Sequence, residues 1–543
     1  MTESASDRYW LTTAILITAT ILSAGALWAS RHVAGTDWDE GGYINRAIQD
    51  RYMFQEEGLY GLLRAVGAQE GSRPPAYRMM VLPITIPFGV SVAVIRYVSI
   101  LLFAVTLWLV YLLGLRLAGP ACGAFSTLLL ATNPCALGCS TKFYTEPSLY
   151  LSVAGTLYFL TRQIQSSPRG WFDLLGLGCF LGLGLLAKTS FILMAGPMLA
   201  MAFGLAWWKK TLNLRPGFLV KASLVGGFLA FPWWLRNWHA ALAYARYSST
   251  FTRHSFESTG VHALLQGLYA FARGAIGIAL LLLIAAILVW AFMSRNRLRR
   301  MEPHERAILW ICLAAAIPLI LFQIIGKNHN MRLIAPSFFP LAVVVGWAAS
   351  RTLWTRARLL TGVATALFAI QGATIAIPSF ARTPARESDI IGGTPSVLLA
   401  VAQEWNWDAL WKVCGERGLT QPVIQYLGNG PVYCPPLISH PWIRRHEPVT
   451  VTWLWRYEEG AIDWETICSK LTKADVVITV LNYQGLAVDK EPLDNAHNGE
   501  LVALLQKDPG FEGPVEIDVG TSPPAEIVAF FRRHQESARV MDH

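Results

Sequence analysis

The sequence predicts a polytopic α-helical membrane protein that ends in a small α/β domain. Three observations carry that expectation. Of the 543 residues 53% are hydrophobic and only 15% charged, where a soluble domain carries about 25% charge; the mean hydropathy is +0.39. Apolar runs of about 20 residues, each able to cross a hydrocarbon core about 30 Å thick as a helix, recur through 1–380. Beyond that point short β-rich runs bounded by Pro, Gly and Asn take over.

The first span is read at 9–29, which is too long for a signal-peptide core and lacks a small-residue cleavage site. Further spans are expected at 92–115, 120–138, 147–161, 170–187, 190–208, 218–235, 270–293, 307–325, 333–350 and 359–378, about eleven in all. Basic loops orient them. "SRNRLRRMEPHER" and "RTLWTRAR" are the strongest cytoplasmic markers. With both inside, the N-terminus is cytoplasmic, and loops 30–91, 139–146, 236–269 and 326–332 lie outside with everything after about 380. "MMVLPITIPFGV" (79–90) is too short to cross and is interrupted by Pro83 and Pro87, so it reads as an interfacial or re-entrant piece of the first outer loop. In that loop "EGGYINRAIQDRYMF" and "EGLYGLLRAVGAQ" have the apolar spacing of short helices lying on the membrane surface.

Two domains follow: a transmembrane domain over 1–380 and an extracytoplasmic α/β domain over 381–543. In the latter, strands are expected at 422–427, 448–455, 474–481, 514–519 and 526–533, with helical patterns at 396–416 and 496–507. "LGNGPVY" reads as a turn rather than a phosphate-cradling loop.

The net charge of +9 does not point to nucleic acid, because much of the Lys and Arg lies in short loops between spans, where orientation and lipid head groups account for it. The eight cysteines include no CxxC pair and no metal-ligand spacing. Cys122, Cys179 and Cys312 fall in spans as packing residues; one disulfide among Cys414, Cys434 and Cys468 is open if that region is extracytoplasmic.

With this topology the polar residues at membrane depth fall on one face. Asp39 and Glu40 begin the first outer loop, and Lys142, Tyr144 and Glu146 sit in the second. Lys188 occupies the otherwise uncharged turn "LLAKTSF", where an unpaired ammonium is costly. Arg236, Asn237, His239 and Arg246 follow the seventh span, and Lys327, His329 and Arg332 fill "GKNHNMRLIAP". Arg246 and Arg273 read as snorkelling anchors. Glu146 before Pro147, and Asp39–Glu40 before a surface helix, are also placed to cap helices. Two acids and several cations on one side nevertheless suit an outward-facing cavity.

The ordered set "DWDEGGYINRA", "SRPPAYRMMVLP", "TEP", "LGLLAKTSF", "FPWWLRN" and "RLIAPSFFPLAVVVGWA" resembles the GT-C glycosyltransferases of the protein O-mannosyltransferase and aminoarabinose-transferase type, over residues 9 to about 350. The resemblance implies an inverting transfer of a sugar from a polyprenyl-phosphate donor to a hydroxyl acceptor on a protein, lipid or polysaccharide, at the outer face of the inner membrane. It makes Asp39 the catalytic base, Glu40 its neighbour and Glu146 the second acid. It places Arg332 near the lipid phosphate; beside it, Tyr43, Arg73, Lys142, Lys188, Arg236, Lys327 and His329 are the further candidate substrate contacts on the same face. Arg-Pro-Pro at 73–75 replaces the more frequent His-Pro-Pro, and the second acid is Glu where Asp is more usual.

That chemistry suits the residue types. A hydroxyl acceptor needs its proton removed as it attacks, and like-charge repulsion would raise a carboxylate of the Asp39–Glu40 pair. Cations would stabilise the departing phosphate. A divalent metal held by Asp39 and Glu146 is a further option. The alternatives are a transporter or flippase for a lipid-linked saccharide, which needs polar groups near the midplane, and an assembly protein acting through its α/β domain.

Overall fold

The computed structural model describes residues 5–31, 38–68, 73–165, 170–208, 212–250, 278–293, 301–325, 331–352, 405–428, 433–455, 462–481, 497–520 and 525–533, with isolated positions between 261 and 276. They fall into two compact units, Met1–Val33 with Met53–Ala400, and Ala34–Tyr52 with Val401–His543. The expected span at 359–378 lies outside the described residues, as does 396–404 of the expected helix 396–416.

The first unit is helical. Its elements are α1 (Ala5–Arg31), the later part of α2 (Trp38–Ala68), α3 (Ala76–Phe88), α4 (Val92–Ala118), α5 (Pro120–Ala131), α6 (Pro134–Thr141), α7 (Glu146–Gln165), α8 (Trp171–Ala187), α9 (Phe191–Trp208), α10 (Pro216–Thr250), α11 (Ile278–Met293), α12 (Pro303–Ile325), the one-turn α13 (Met331–Ile334) and α14 (Phe338–Thr352). Among the described residues six helices are long and apolar enough to cross a bilayer, or seven if α5 and the end of α6, bent by 68°, count as one span. The expected span 120–138 is thus broken, because Asn133 accepts from the Ala136 N–H and Pro134 opens a new helix. The two short helices expected in the first loop are the two segments of α2, which meet at a kink at Gly58, whose φ of 61° suits a residue without Cβ. The segment 79–90 falls mostly within α3, a helix of 13 residues. Beyond its expected span α10 continues through "RNWHAALAYARY" as helix rather than loop.

At the centre of this unit α7 buries 17 of its 20 residues, packed between α4 and α8. Two of its hydroxyls are satisfied within the helix: Ser152 donates to the Ser148 carbonyl and Thr156 to that of Ser152, each at 2.7 Å. This bonding back along the helix lets a segment of modest hydropathy occupy a buried position.

The second unit is a three-layer α/β sandwich. Strands β1 (Val423–Tyr426), β2 (Thr450–Trp453), β3 (Val476–Val480), β4 (Phe511–Ile517) and β5 (Ile527–Arg532) order as β2-β1-β3-β5-β4. The β1–β2 and β1–β3 pairs are parallel, and β5 runs antiparallel to β3 and β4. Side chains alternate by face: Val476, Ile478 and Val480 join Trp405, Leu410, Ile438 and Trp442 on one side, while Val477 joins Ile467, Leu471, Leu501 and Leu505 on the other. The first face is covered by α15 (Asp408–Glu416) and α16 (Pro435–Arg444), with Trp38 of α2 packed against it; the second by α17 (Trp464–Leu471) and α18 (Asn498–Lys507). All five strands overlap the expected runs. Sequence patterning missed α16 and α17. Pro435, Pro436 and Pro441 read as breakers, yet the first two occupy opening positions where no N–H is needed. All eight cysteines are free thiols.

Candidate active site

Three charged groups of the first unit meet where α6, α8 and α13 approach the start of α7. Glu146 is the first residue of α7, after the turn 142–145. Acids are favoured at that end of a helix, and proline is tolerated at the next position. Lys188 caps the C-terminus of α8 in an extended conformation, its N–H donating to the Gly184 carbonyl. The adjoining turn is tied to α10 by Trp234, whose indole N–H donates to the Leu185 carbonyl at 3.1 Å. From there Lys188 Nζ donates to Glu146 Oε1 at 2.7 Å. The Glu146 side chain is 1% exposed and that of Lys188 20%, so the ammonium reaches from an accessible turn to a buried carboxylate. Thr145 Oγ1 donates to the other carboxylate oxygen at 3.2 Å.

Arg332, in α13, stacks its guanidinium over the Tyr144 ring at 4.5 Å and acts electrostatically on Glu146. Two cations therefore share the field of one buried acid.

The other candidates are placed as follows. Lys142 is buried in the turn after α6. Arg73 donates to Tyr244 Oη at 2.7 Å and lies 5.0 Å from the centroid of the same ring. Tyr244 belongs to the extension of α10, and no spacing in the sequence singles it out. Arg236 is exposed on α10, alongside Gly67 of α2. Lys327 and His329 lie outside the described residues. Asp39, Glu40 and Tyr43 sit in the first turns of α2 within the second unit; Glu40 and Tyr43 are buried and Asp39 is partly exposed. At the opening of a helix both acids face the positive end of its dipole, which offsets part of the charge repulsion.

Among the described residues no three His, Cys, Asp or Glu side chains gather into a metal-ligand group, and both Glu146 oxygens already accept hydrogen bonds. The donor set in hand is not that of an oxygen cage for a hard cation.

Residues 72–235 match the family model of dolichyl-phosphate-mannose-protein mannosyltransferases. The chain also superimposes on the crystal structure of ArnT from Cupriavidus metallidurans bound to undecaprenyl phosphate. That superposition has a TM-score of 0.59 at 14% identity and covers 95% of this chain and 97% of the other. The chain has the GT-C membrane glycosyltransferase fold. The same GT-C likeness extends to the archaeal oligosaccharyltransferase AglB of Archaeoglobus fulgidus, solved with an inhibitory peptide and a dolichol-phosphate; there the TM-score is 0.51 at 14% identity over 88% of this chain and 70% of that one. In sequence the chain is 25% identical, over 266 residues, to an undecaprenyl phosphate-α-4-amino-4-deoxy-L-arabinose arabinosyl transferase of Pseudomonas fluorescens. The match covers 48% of this GT-C chain and spans about half, 45%, of that relative's length.

Proposed function

We propose that the protein is an inverting glycosyltransferase. It moves a sugar from a polyprenyl-phosphate donor to a hydroxyl acceptor at the outer face of the inner membrane, with the N-terminus cytoplasmic and the C-terminal unit extracytoplasmic. The observation that carries this reading is the buried Glu146 held at 2.7 Å by Lys188, with Arg332 acting on the same carboxylate, in a fold shared with enzymes whose names specify undecaprenyl and dolichyl phosphates.

Roles follow residue by residue. Asp39 takes the acceptor hydroxyl proton as that oxygen attacks the anomeric carbon, with Glu40 beside it. The bond from that carbon to the phosphate oxygen breaks, and the electron pair leaves with the polyprenyl phosphate. A single displacement inverts the anomeric centre. Lys188 and Arg332 stabilise the charge that grows on the phosphate, while Glu146 orients the ammonium of Lys188. Arg73, Lys142, Arg236 and Tyr43 serve as substrate contacts.

A panel of radiolabelled polyprenyl-phosphate sugars, offered to the purified protein with membrane extract as acceptor, identifies the donor by transfer of label. Asp39→Asn is then expected to lower turnover by at least about 100-fold, the scale of general base catalysis, while undecaprenyl phosphate still binds. A carrier would bind and move the lipid with little effect of that substitution. Full transfer by Asp39→Asn removes the base assignment.

A further inference from the structure

The stretch of α2 that carries Asp39 and Glu40 is fastened to the α/β sandwich of its own unit at several points. At its start Trp38 stacks on Trp453 of β2 at 4.4 Å. A Cβ built on Gly41 would lie 2.6 Å from Leu437 Cδ2 of α16, so the two helices approach closely only because that position is bare. Near the end of the stretch Tyr52 stacks on His446 at 4.2 Å and donates to the Arg444 carbonyl at 2.7 Å.

Between these apolar and aromatic contacts lies a polar one. Asn45 is 5% exposed. Its Nδ2 donates to the Pro436 carbonyl at 2.6 Å, and its Oδ1 lies 2.8 Å from His440 Nδ1. With the amide nitrogen turned to a carbonyl, the amide oxygen must receive a proton, so the imidazole carries hydrogen on Nδ1. Burial first, then the charges of Arg444 and Arg445 against that of Asp408, holds His440 down to about 4; near neutral pH the ring is uncharged. Apolar faces tolerate sliding and small rotations. The hydrogen bond between His440 and the buried Asn45 amide does not, because any shift strands that amide inside the unit.

We propose that Asn45 and His440 are positioning residues for the transfer reaction, their hydrogen bond fixing the rotation and register of the α2 segment that presents Asp39 and Glu40. This rests on the base role assigned to Asp39. Asn45 lies six positions beyond Asp39 on one helix, so a turn of that helix about its axis moves both together. Misplacing a reacting group by about 1 Å is enough to lower a rate roughly 100-fold.

The test uses the full-length protein and the donor identified from the radiolabelled panel. His440→Asn places an amide N–H near the position of Nδ1, whereas His440→Gln keeps the amide but carries it one methylene further. The expected result is kcat within about three-fold of wild type for His440→Asn and a 10- to 100-fold loss for His440→Gln and Asn45→Leu, with undecaprenyl phosphate affinity unchanged. The double variant Asn45→Leu/His440→Gln is expected to fall no further than either single one. Protection of the buried thiols of Cys414 and Cys434 from alkylation reports that the unit is still folded; should Asn45→Leu lose it, the comparison of His440→Asn with His440→Gln decides alone. Equal kcat for those two variants overturns the proposal. If that happens while Asp39→Asn is inactive, only the positioning role fails; if Asp39→Asn is fully active, the base assignment fails first and the positioning role with it.

Discussion

Lys188 and Glu146 are an unequal pair, since the acid is almost wholly buried and the ammonium is reached by solvent. Removing the cation alone leaves a buried carboxylate without its charged partner, which is worse than removing both. Lys188→Met is therefore expected to destabilise the protein by about 3 kcal/mol, and the double change Glu146→Gln/Lys188→Met to recover most of that loss; thermal unfolding in detergent measures both. Recovery of stability without recovery of turnover would separate the structural from the chemical role of the pair. At this scale the sequence is informative where charge stands alone. Lys188 stands out in "LLAKTSF" because its local sequence holds no other charge, and Glu146 in "YTEPS" because it is an acid at the head of an apolar run. Asn45 and His440 do not stand out: each is unremarkable locally, and they lie 395 positions apart.

Single elements obey local rules until packing overrides them. The strands of the second unit were legible because β-branched and aromatic residues alternate between two buried faces, as in "ADVVITVL". Helix α16 was not, because its three prolines mask an apolar face formed by Leu437, Ile438 and Trp442. The extension of α10 was hidden for a related reason: its charged residues read as loop. Gly41 and Gly42 are adjacent on α2 yet differ in surroundings. A Cβ at Gly41 meets Leu437 and Pro436 within 3.3 Å, whereas one at Gly42 has nothing nearer than 3.8 Å. Gly41→Ala is expected to destabilise the second unit by about 1–3 kcal/mol through overpacking. Gly42→Ala should stabilise it by up to about 1 kcal/mol through helix propensity. Chemical denaturation followed by tryptophan fluorescence distinguishes the two, and a loss of stability at both positions would mean that α2 seats differently on α16.

For the molecule as a whole, the proposed orientation turns the basic segments 294–306 and 351–358 to the cytoplasm and would place the C-terminal unit outside. Cys468 provides the measurement, since it is exposed on α17, and the other exposed thiol, Cys179, lies on the apolar helix α8. A membrane-impermeant maleimide added to spheroplasts is expected to label the protein, and Cys468→Ser to abolish the label. Labelling that requires lysis would reverse the orientation. The multi-pass character was legible from hydropathy alone, because each span carries its own signal. The make-up of the second unit was not, because Ala34–Tyr52 joins it across several hundred intervening residues, and no local pattern encodes so distant a partner.

That discontinuity has a temporal side. During synthesis the Asp39 segment emerges early, whereas the sheet and α16 follow about 370 to 480 residues later, roughly 20–100 s at 5–20 residues per second. Over that interval the nascent chain carries its acidic pair on a helix whose seat does not yet exist. Catalytic competence would then arrive only with the last strands, and an interrupted translation product would be inserted yet inert.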